Sequence, residues 1–139
     1  MSKPENSFIL GVHRYVSSYK EKTNNPYRGG TPDVYYEGAG HLWVEYKFII
    51  LPARDTTPIK ADLSELQKEW LRRCHLNTGK ARVIIGCKEG GVVLETPEQW
   101  ENSMTTAEFK TNLLGRIALG VYIDALCQTS HISLPRQKS

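Results

Sequence analysis

TPDVYYEGAGHLWVEYKF, residues 31–48, is the stretch of this sequence that decides the fold. Its two halves are rich in the aromatic and β-branched residues that favour strands, and the small residues Gly38-Ala39-Gly40 between them suit a tight loop. The stretch therefore predicts a β-hairpin. If the loop is centred on Ala39, opposed residues have numbers that sum to 78, so that Asp33 faces Glu45.

This register crowds two carboxylates on one face of the hairpin. Directly opposed side chains have Cβ atoms about 4.5–5.5 Å apart, and like charges at that separation repel. A divalent cation bound between Asp33 and Glu45 would remove the penalty, and Lys47 projects from the same face. A two-residue loop would instead set Asp33 opposite Val44. The alternative interpretation is a surface hairpin with scattered charges and a Lys47–Glu45 ion pair.

The spacing of these residues also resembles a known signature. Pro32-Asp33, eleven residues and then Glu45-Tyr46-Lys47 resemble the pattern of the PD-(D/E)XK nuclease superfamily. The segment from Gly30 to Asp33 is similar to the corresponding segment of the small VRR-NUC branch of this superfamily. The compact single domain is similar to those of the Holliday-junction resolvases. The resemblance implies a restriction-endonuclease-like α/β core of αβββαβ type, with a central mixed sheet of about four strands flanked by helices.

The same resemblance implies roles for individual residues. Asp33 and Glu45 would be metal ligands, the carbonyl of Tyr46 a third ligand, and Lys47 the catalytic lysine. The implied cofactor is Mg²⁺, for which Mn²⁺ would substitute.

The apolar periodicity predicts a first helix from Ser7, as its cap, to about Lys22. Glu5 lies just before or within its first turn. The resemblance implies that a glutamate here contributes to the metal site. The alternative is a carboxylate placed there by the helix dipole.

A second helix is predicted from Asp62, as N-cap in a capping box with Glu65, to about Leu76, and Gly79 ends it. Gln67 lies on this helix. Together with Ser64 and the apolar pair Trp70-Leu71, it matches the family pattern in which a glutamine positions the attacking water or a phosphate. The alternative is an exposed glutamine without a role.

Strands are predicted at Lys80–Lys88 and Gly91–Glu95, with the first of them parallel to the Glu45 strand through a βαβ connection. Beyond a capping box at Thr105 and Glu108, the apolar pattern predicts one long helix or two helices broken near Gly115. This region is apolar enough to cover the sheet or to pair with a second copy, and the tail from about residue 131 is expected to fray.

Composition favours a single globular domain over residues 1–139. The net charge of 18 − 15 = +3 permits a nucleic-acid partner, and no apolar run approaches the roughly 20 residues that span a bilayer. The N-terminus lacks a signal-peptide pattern, so we expect a cytoplasmic protein without membrane contact. The three cysteines have no metal-ligand spacing and are expected to be reduced core residues.

The leading functional hypothesis is a divalent-metal-dependent DNA endonuclease, selective for branched DNA such as Holliday junctions and acting as a homodimer. Basic residues distributed along the chain would contact phosphates. They are Arg14, Arg28, Lys60, Arg72, Arg73, Lys80 and Arg82. The first alternative is a non-catalytic nucleic-acid-binding module with the nuclease fold, and the second is a small interaction protein without a nucleic-acid role.

Overall fold

The computed structural model describes residues 2–23 and 29–129. Arg28, one of the predicted phosphate contacts, and the predicted tail from about residue 131 lie outside these residues. In chain order the elements are α1 (Lys3–His13), β1 (Tyr19–Lys22), β2 (Val34–Glu37), β3 (His41–Phe48), β4 (Pro58–Ile59), α2 (Glu65–Thr78), β5 (Ala81–Cys87), β6 (Gly90–Leu94), α3 (Pro97–Glu101), β7 (Met104–Thr105), α4 (Thr106–Thr111) and α5 (Arg116–Cys127).

The centre of the molecule is a mixed sheet in the order β1-β2-β3-β5-β6. β3 and β5 run parallel, as the βαβ connection predicts, and the other neighbours are antiparallel. The sheet has five strands among the described residues instead of the expected four, because β1 pairs with β2 along its outer edge. The short strands β4 and β7 form a separate pair.

The first helix differs most from its prediction. It begins at Lys3, capped by the Ser2 side chain, and ends at His13 instead of running on to Lys22. The backbone N–H groups of Ser17 and Ser18 donate to the carboxylate of Asp124 on α5, and the chain then enters β1. These tertiary bonds and the strand pairing outweigh the local helical periodicity, which was therefore misleading after residue 13.

The hairpin has the predicted register. Val34 pairs with Val44, Tyr35 with Trp43, and Glu37 with His41. The alternation of side chains then sends Val44 and Tyr46 to the core cluster under α1 and α5, and Trp43 to the core cluster under α2. Glu45 shares the α2 face and is only 2% exposed.

The predicted second helix and the predicted helices after Thr105 agree with the structure except at one cap. Ser64, and not Asp62, caps α2, with Gln67 completing the capping box, and Gly79 ends it at a φ of 70°. The capping box of Thr105 and Glu108 is confirmed, and Gly115 separates α4 from α5. All three cysteines are free and buried, as expected. No helix within the described ranges has both the length and the apolar character needed to cross a bilayer.

Candidate active site

The structure brings Asp33 and Glu45 together at the point where β2 begins. Val34 and Val44 form the first backbone pair of the hairpin. One residue earlier, the Asp33 carboxylate, instead of a backbone carbonyl, binds the neighbouring strand β3. Its Oδ2 accepts the backbone N–H of Tyr46 at 2.9 Å. Because the N–H and C=O of one strand residue point to the same edge, the Tyr46 carbonyl is directed to this edge as well.

Glu45 is a buried acid with an unusual environment. Burial and the nearby charge of Asp33 raise its pKa to about 8, against the lowering effect of Lys47. Burial also raises the pKa of Asp33, although the Tyr46 N–H, Lys47 and a hydrogen bond with Glu45 act in the opposite direction. The negative charge of Asp33 therefore disfavours ionisation of Glu45, as expected for two acids that share one site.

Lys47 and Gln67 occupy the other side of Glu45. The Lys47 ammonium lies 3.5 Å from Glu45 Oε2 and 3.3 Å from Gln67 Oε1, and the Gln67 amide donates to Glu45 Oε2 at 3.0 Å. The three side chains form a closed triangle between β3 and the first turn of α2. Gln67 is half-buried and bonded to both charged groups, and the ion pair expected from the alternative interpretation is one side of this triangle.

The approach of the preceding loop to α2 depends on Gly30. This residue has a φ of 86°, in the left-handed region, and a Cβ placed on it would lie 2.4 Å from the backbone oxygen of Leu66. A side chain here would push the loop away from the helix. Gly30 therefore sets the distance between the segment carrying Asp33 and the helix turn carrying Gln67.

Glu5 lies at the margin of the site, in the first turn of α1. Burial and the charge of Asp33 raise its pKa, whereas Lys47 lowers it, so the three groups are electrostatically coupled. Within residues 2–23 and 29–129, however, no three His, Cys, Asp or Glu side chains converge closely enough to hold a metal ion. Glu5 is near the pair of acids without completing a three-carboxylate group.

The donor set fits a hard divalent cation. Oε1 of Glu45 is buried and has no hydrogen-bond partner in the described part of the chain, which is a costly state for a carboxylate oxygen. Mg²⁺ is typically held by one or two carboxylates together with waters and substrate oxygens. Asp33, Glu45 and the Tyr46 carbonyl supply such a set, and a bound cation would satisfy the unpartnered oxygen.

Two of the predicted phosphate contacts, Lys80 and Arg82, are hydrogen-bonded within the protein. Lys80 is only 5% exposed, and its ammonium donates to the carbonyls of Leu126 and Thr129 at 2.6 and 2.8 Å. Arg82 donates to the Tyr122 hydroxyl and to backbone carbonyls. Both side chains lie on the α5 face, opposite Glu45, because Arg82 pairs with Val44. Neither is positioned to meet a phosphate bound at the acids.

The other basic residues remain at the surface. Arg14 follows the end of α1, and Lys60 is exposed beside the start of α2. Arg72 is engaged in an ion pair with Glu101, whereas the Arg73 guanidinium lies 4.8 Å from the ring centre of Trp70. Their roles as DNA contacts stay predictions, as does that of Arg28.

Sequence reasoning missed a buried hydrogen-bond chain behind the site. The Tyr46 and Tyr36 hydroxyls lie 2.6 Å apart, and the Tyr36 hydroxyl lies 2.7 Å from Nε2 of His13. Burial lowers the pKa of His13 to about 4, so its ring is neutral and joins α1 to the sheet. The alternation of Tyr36 and Tyr46 onto one face was the available signal.

Comparisons with known proteins bear on the fold. Searches with the sequence against protein-family models and against curated proteins gave no match. The structure is similar to that of Hjc, a Holliday junction resolvase from the archaeal hyperthermophile Archaeoglobus fulgidus, with a TM-score of 0.53, 14% sequence identity and coverage of 85% of this chain and 93% of that one. This chain has a restriction-endonuclease-like fold. At this identity the likeness concerns the restriction-endonuclease-like fold alone, and membership of the VRR-NUC branch stays a prediction.

Proposed function

We propose that this protein is a divalent-metal-dependent DNA endonuclease that hydrolyses phosphodiester bonds, with a preference for branched DNA. The observation that carries the proposal is the Asp33–Glu45 pair, with Lys47 and Gln67 bound to the second acid. Two neighbouring acids, one of them buried, are destabilising unless a proton or a cation neutralises their charge. In a restriction-endonuclease-like fold, metal-assisted phosphodiester hydrolysis is the function for which all four residue types are suited.

Asp33, Glu45 and the Tyr46 carbonyl would hold the metal. When bound, Mg²⁺ would supply polarisation of the scissile phosphate and a lowered pKa for a coordinated water. The protein's own part is to orient both carboxylates, and the bound cation would favour their ionised forms. The Tyr46 N–H orients Asp33, and the Gln67 amide orients Glu45.

Lys47 would act on the phosphate and on the attacking water. Its side chain is 23% exposed, so the ammonium is held by the protein and still reaches the solvent side of the site. A fixed cation here would stabilise the negative charge that develops on the phosphate oxygens during attack. Gln67 accepts a hydrogen bond from this ammonium and so fixes its position.

The preference for branched DNA and the dimeric state are the finer parts of the proposal. They are supported by the likeness to a Holliday junction resolvase. A dimer is also supported by exposed apolar side chains on adjoining helices, namely Leu10 of α1 with Ile117 and Val121 of α5. A second copy covering this surface would place two sites on one assembly, which suits a substrate with two strands to cut.

Cleavage assays on a panel of junction, flap, nicked and linear DNAs test the proposal. Each DNA is incubated with Mg²⁺, with Mn²⁺ or with EDTA, using wild type and Lys47→Ala. We expect metal-dependent cutting by wild type and a loss of at least about 100-fold in the variant. Lys68→Ala, which removes a lysine of α2 that pairs with Glu65, is the matched control and should cut normally.

Equal cutting by wild type and Lys47→Ala would remove Lys47 from the mechanism. Absence of cutting on every DNA with every metal, together with retained salt-sensitive binding, would favour the non-catalytic binding module instead.

A further inference from the structure

Three aromatic rings form a continuous row on the α2 face of the sheet. The ring centres of Tyr35 and Trp43 are 4.8 Å apart, and those of Trp43 and Trp70 are 5.1 Å apart. We call Tyr35, Trp43 and Trp70 the aromatic strip. The Arg73 guanidinium lies over Trp70 at one end of the strip, and the His41 ring stacks beside Tyr35 at the other end.

The aromatic strip adjoins the pair of acids. Tyr35 and Trp43 oppose each other in the hairpin, and they lie two residues beyond Asp33 and two residues before Glu45, respectively. Two residues along a strand span about 7 Å and return to the same face. A DNA strand whose phosphate sits at the acids would therefore bring its neighbouring nucleotide over the first two rings.

The three rings of the aromatic strip are partly exposed. Trp43 and Trp70 rest on the core under α2 and still reach solvent, whereas Trp100 of the same core is fully buried. The rings of Trp43 and Trp70 meet edge to face. One of the two rings therefore contacts its neighbour only through its edge, and its face is not covered by that neighbour. A surface cavity of about 460 Å³ opens beside Trp70, lined also by Gly29, Leu66, Glu69 and Arg73.

Charge around the strip favours bases over phosphates as its ligand. Burial and then Glu37, with a smaller effect of Glu21, raise the pKa of Tyr35, which places two carboxylates beside that ring. These acids would repel a phosphate, but a base presents an uncharged aromatic face that stacks on any ring. At the other end of the strip, the Arg73 guanidinium is a cation suited to the backbone.

We propose that the aromatic strip stacks unpaired bases of the DNA next to the scissile phosphate, an inference that rests on the proposed nuclease function for the placement of the strand. The substrate class is then DNA with unpaired or splayed nucleotides beside the cut, such as the mouth of a branch or a flap. Fully paired duplex would reach the acids without engaging the strip.

Equilibrium binding in EDTA, where cleavage cannot occur, tests the strip apart from catalysis. The probes are a fluorescent oligothymidylate, a strand of equal length in which every base is replaced by an abasic spacer, and a blunt duplex. Stacking on aromatic side chains contributes about 1–3 kcal/mol per base, equivalent to about 5- to 150-fold in affinity. Wild type should bind the strand with bases at least about fivefold more tightly than the abasic strand, whose phosphates are the same.

The variants Trp43→Leu and Trp70→Leu keep an apolar side chain but remove the ring. Each should weaken binding of the oligothymidylate at least about fivefold and leave binding of the abasic strand unchanged. Trp43→Phe, which retains a ring, should lose less than Trp43→Leu. Tyr15→Ala is the control, because Tyr15 is an exposed aromatic residue whose backbone lies against Gly120 of α5, away from the strip.

Intrinsic tryptophan fluorescence gives a second measurement. The chain has three tryptophans, and only Trp43 and Trp70 reach the surface, so quenching on addition of oligothymidylate should vanish in the Trp43→Phe, Trp70→Phe double variant. Equal binding of the normal and abasic strands by wild type would overturn the inference, even if metal-dependent cleavage is intact. Conversely, base-dependent binding without any cleavage would support the strip and count against the nuclease function.

Discussion

The side-chain amide of Gln67 donates to the buried carboxylate of Glu45 at 3.0 Å, joining the first turn of α2 to the middle of β3. The oxygen of the same amide accepts the backbone N–H of Ser64 at 3.0 Å and so closes the capping box of the helix. One side chain thus starts a helix and orients a proposed metal ligand. The start of α2 and the candidate active site are a single structural unit.

This double role can be separated by two substitutions. Ser64→Ala and Gln67→Ala each break the capping box and should each lower the free energy of unfolding by about 1 kcal/mol. Only Gln67→Ala also frees Glu45 and Lys47, and we expect it alone to lower the cleavage rate, by about 10- to 100-fold. Urea unfolding and cleavage of the preferred DNA measure the two effects. Similar cleavage by both variants would limit Gln67 to capping.

The buried acid predicts an unusual dependence of stability on pH in the metal-free protein. The pKa of Glu45 is about 8 in the folded state and near 4.5 when unfolded. A raised pKa means that the stabilising contribution is complete below about pH 4.5 and is lost as pH rises through about 8. In EDTA, wild type should therefore lose stability relative to Glu45→Gln between pH 5 and pH 9, by a few kcal/mol.

Thermal unfolding of both proteins across that range measures the difference. Glu65→Gln, which changes a highly exposed acid of α2, should follow the wild-type curve. Addition of Mn²⁺ at pH 8 should restore much of the lost stability of wild type, because a cation favours the ionised carboxylate. Curves of wild type and Glu45→Gln that stay parallel would show that Glu45 titrates normally.

Two glycines with positive φ offer a test of the loop position. Gly79 has open space around its Cβ position, so Gly79→Ala should cost only the backbone strain, about 1 kcal/mol. Gly30→Ala adds a clash with the Leu66 carbonyl, so it should be more destabilising and should lower cleavage by moving Asp33 from the site. Denaturant unfolding and the cleavage rate measure both. Normal cleavage by Gly30→Ala would mean that the loop does not set the position of Asp33.

How far the sequence could predict the fold depended on whether local and tertiary preferences agreed. In the hairpin, strand-forming residues and a glycine loop favour one register, and the structure has it. In residues 14–22 they conflict: the apolar spacing favours a helix, but the bonds of Ser17 and Ser18 to Asp124, more than 100 residues away, favour a strand. No local pattern carries that information.

The site shows the same division. The opposition of Asp33 and Glu45 follows from the register of the hairpin, and the choice of Gln67 as a site residue follows from the family pattern. By contrast, the role of Lys80 depends on the last turn of α5 lying beside the start of β5, which the sequence does not reveal. The aromatic strip could not be predicted either, because Trp70 comes from a different element than the hairpin rings.

Lys80 and Lys60 should therefore behave in opposite ways. Lys80→Ala removes a buried ammonium and leaves two carbonyls near the end of α5 without their donor, which should lower the free energy of unfolding by about 2–3 kcal/mol. Lys60→Ala removes an exposed charge and should leave stability within about 0.5 kcal/mol while weakening DNA binding at low salt. Thermal unfolding and fluorescence anisotropy measure the pair. Unchanged stability in Lys80→Ala would contradict its structural role.

The central claim is that Asp33 and Glu45 share one divalent cation. The most direct measurement is a Mn²⁺ titration followed by the electron paramagnetic resonance of the free ion, at pH 8, for wild type, Asp33→Asn, Glu45→Gln and the exposed control Asp55→Asn. Wild type and Asp55→Asn should bind Mn²⁺ alike, and each of the other two variants should lose at least about tenfold in affinity. Undiminished Mn²⁺ binding by both Asp33→Asn and Glu45→Gln would contradict the claim.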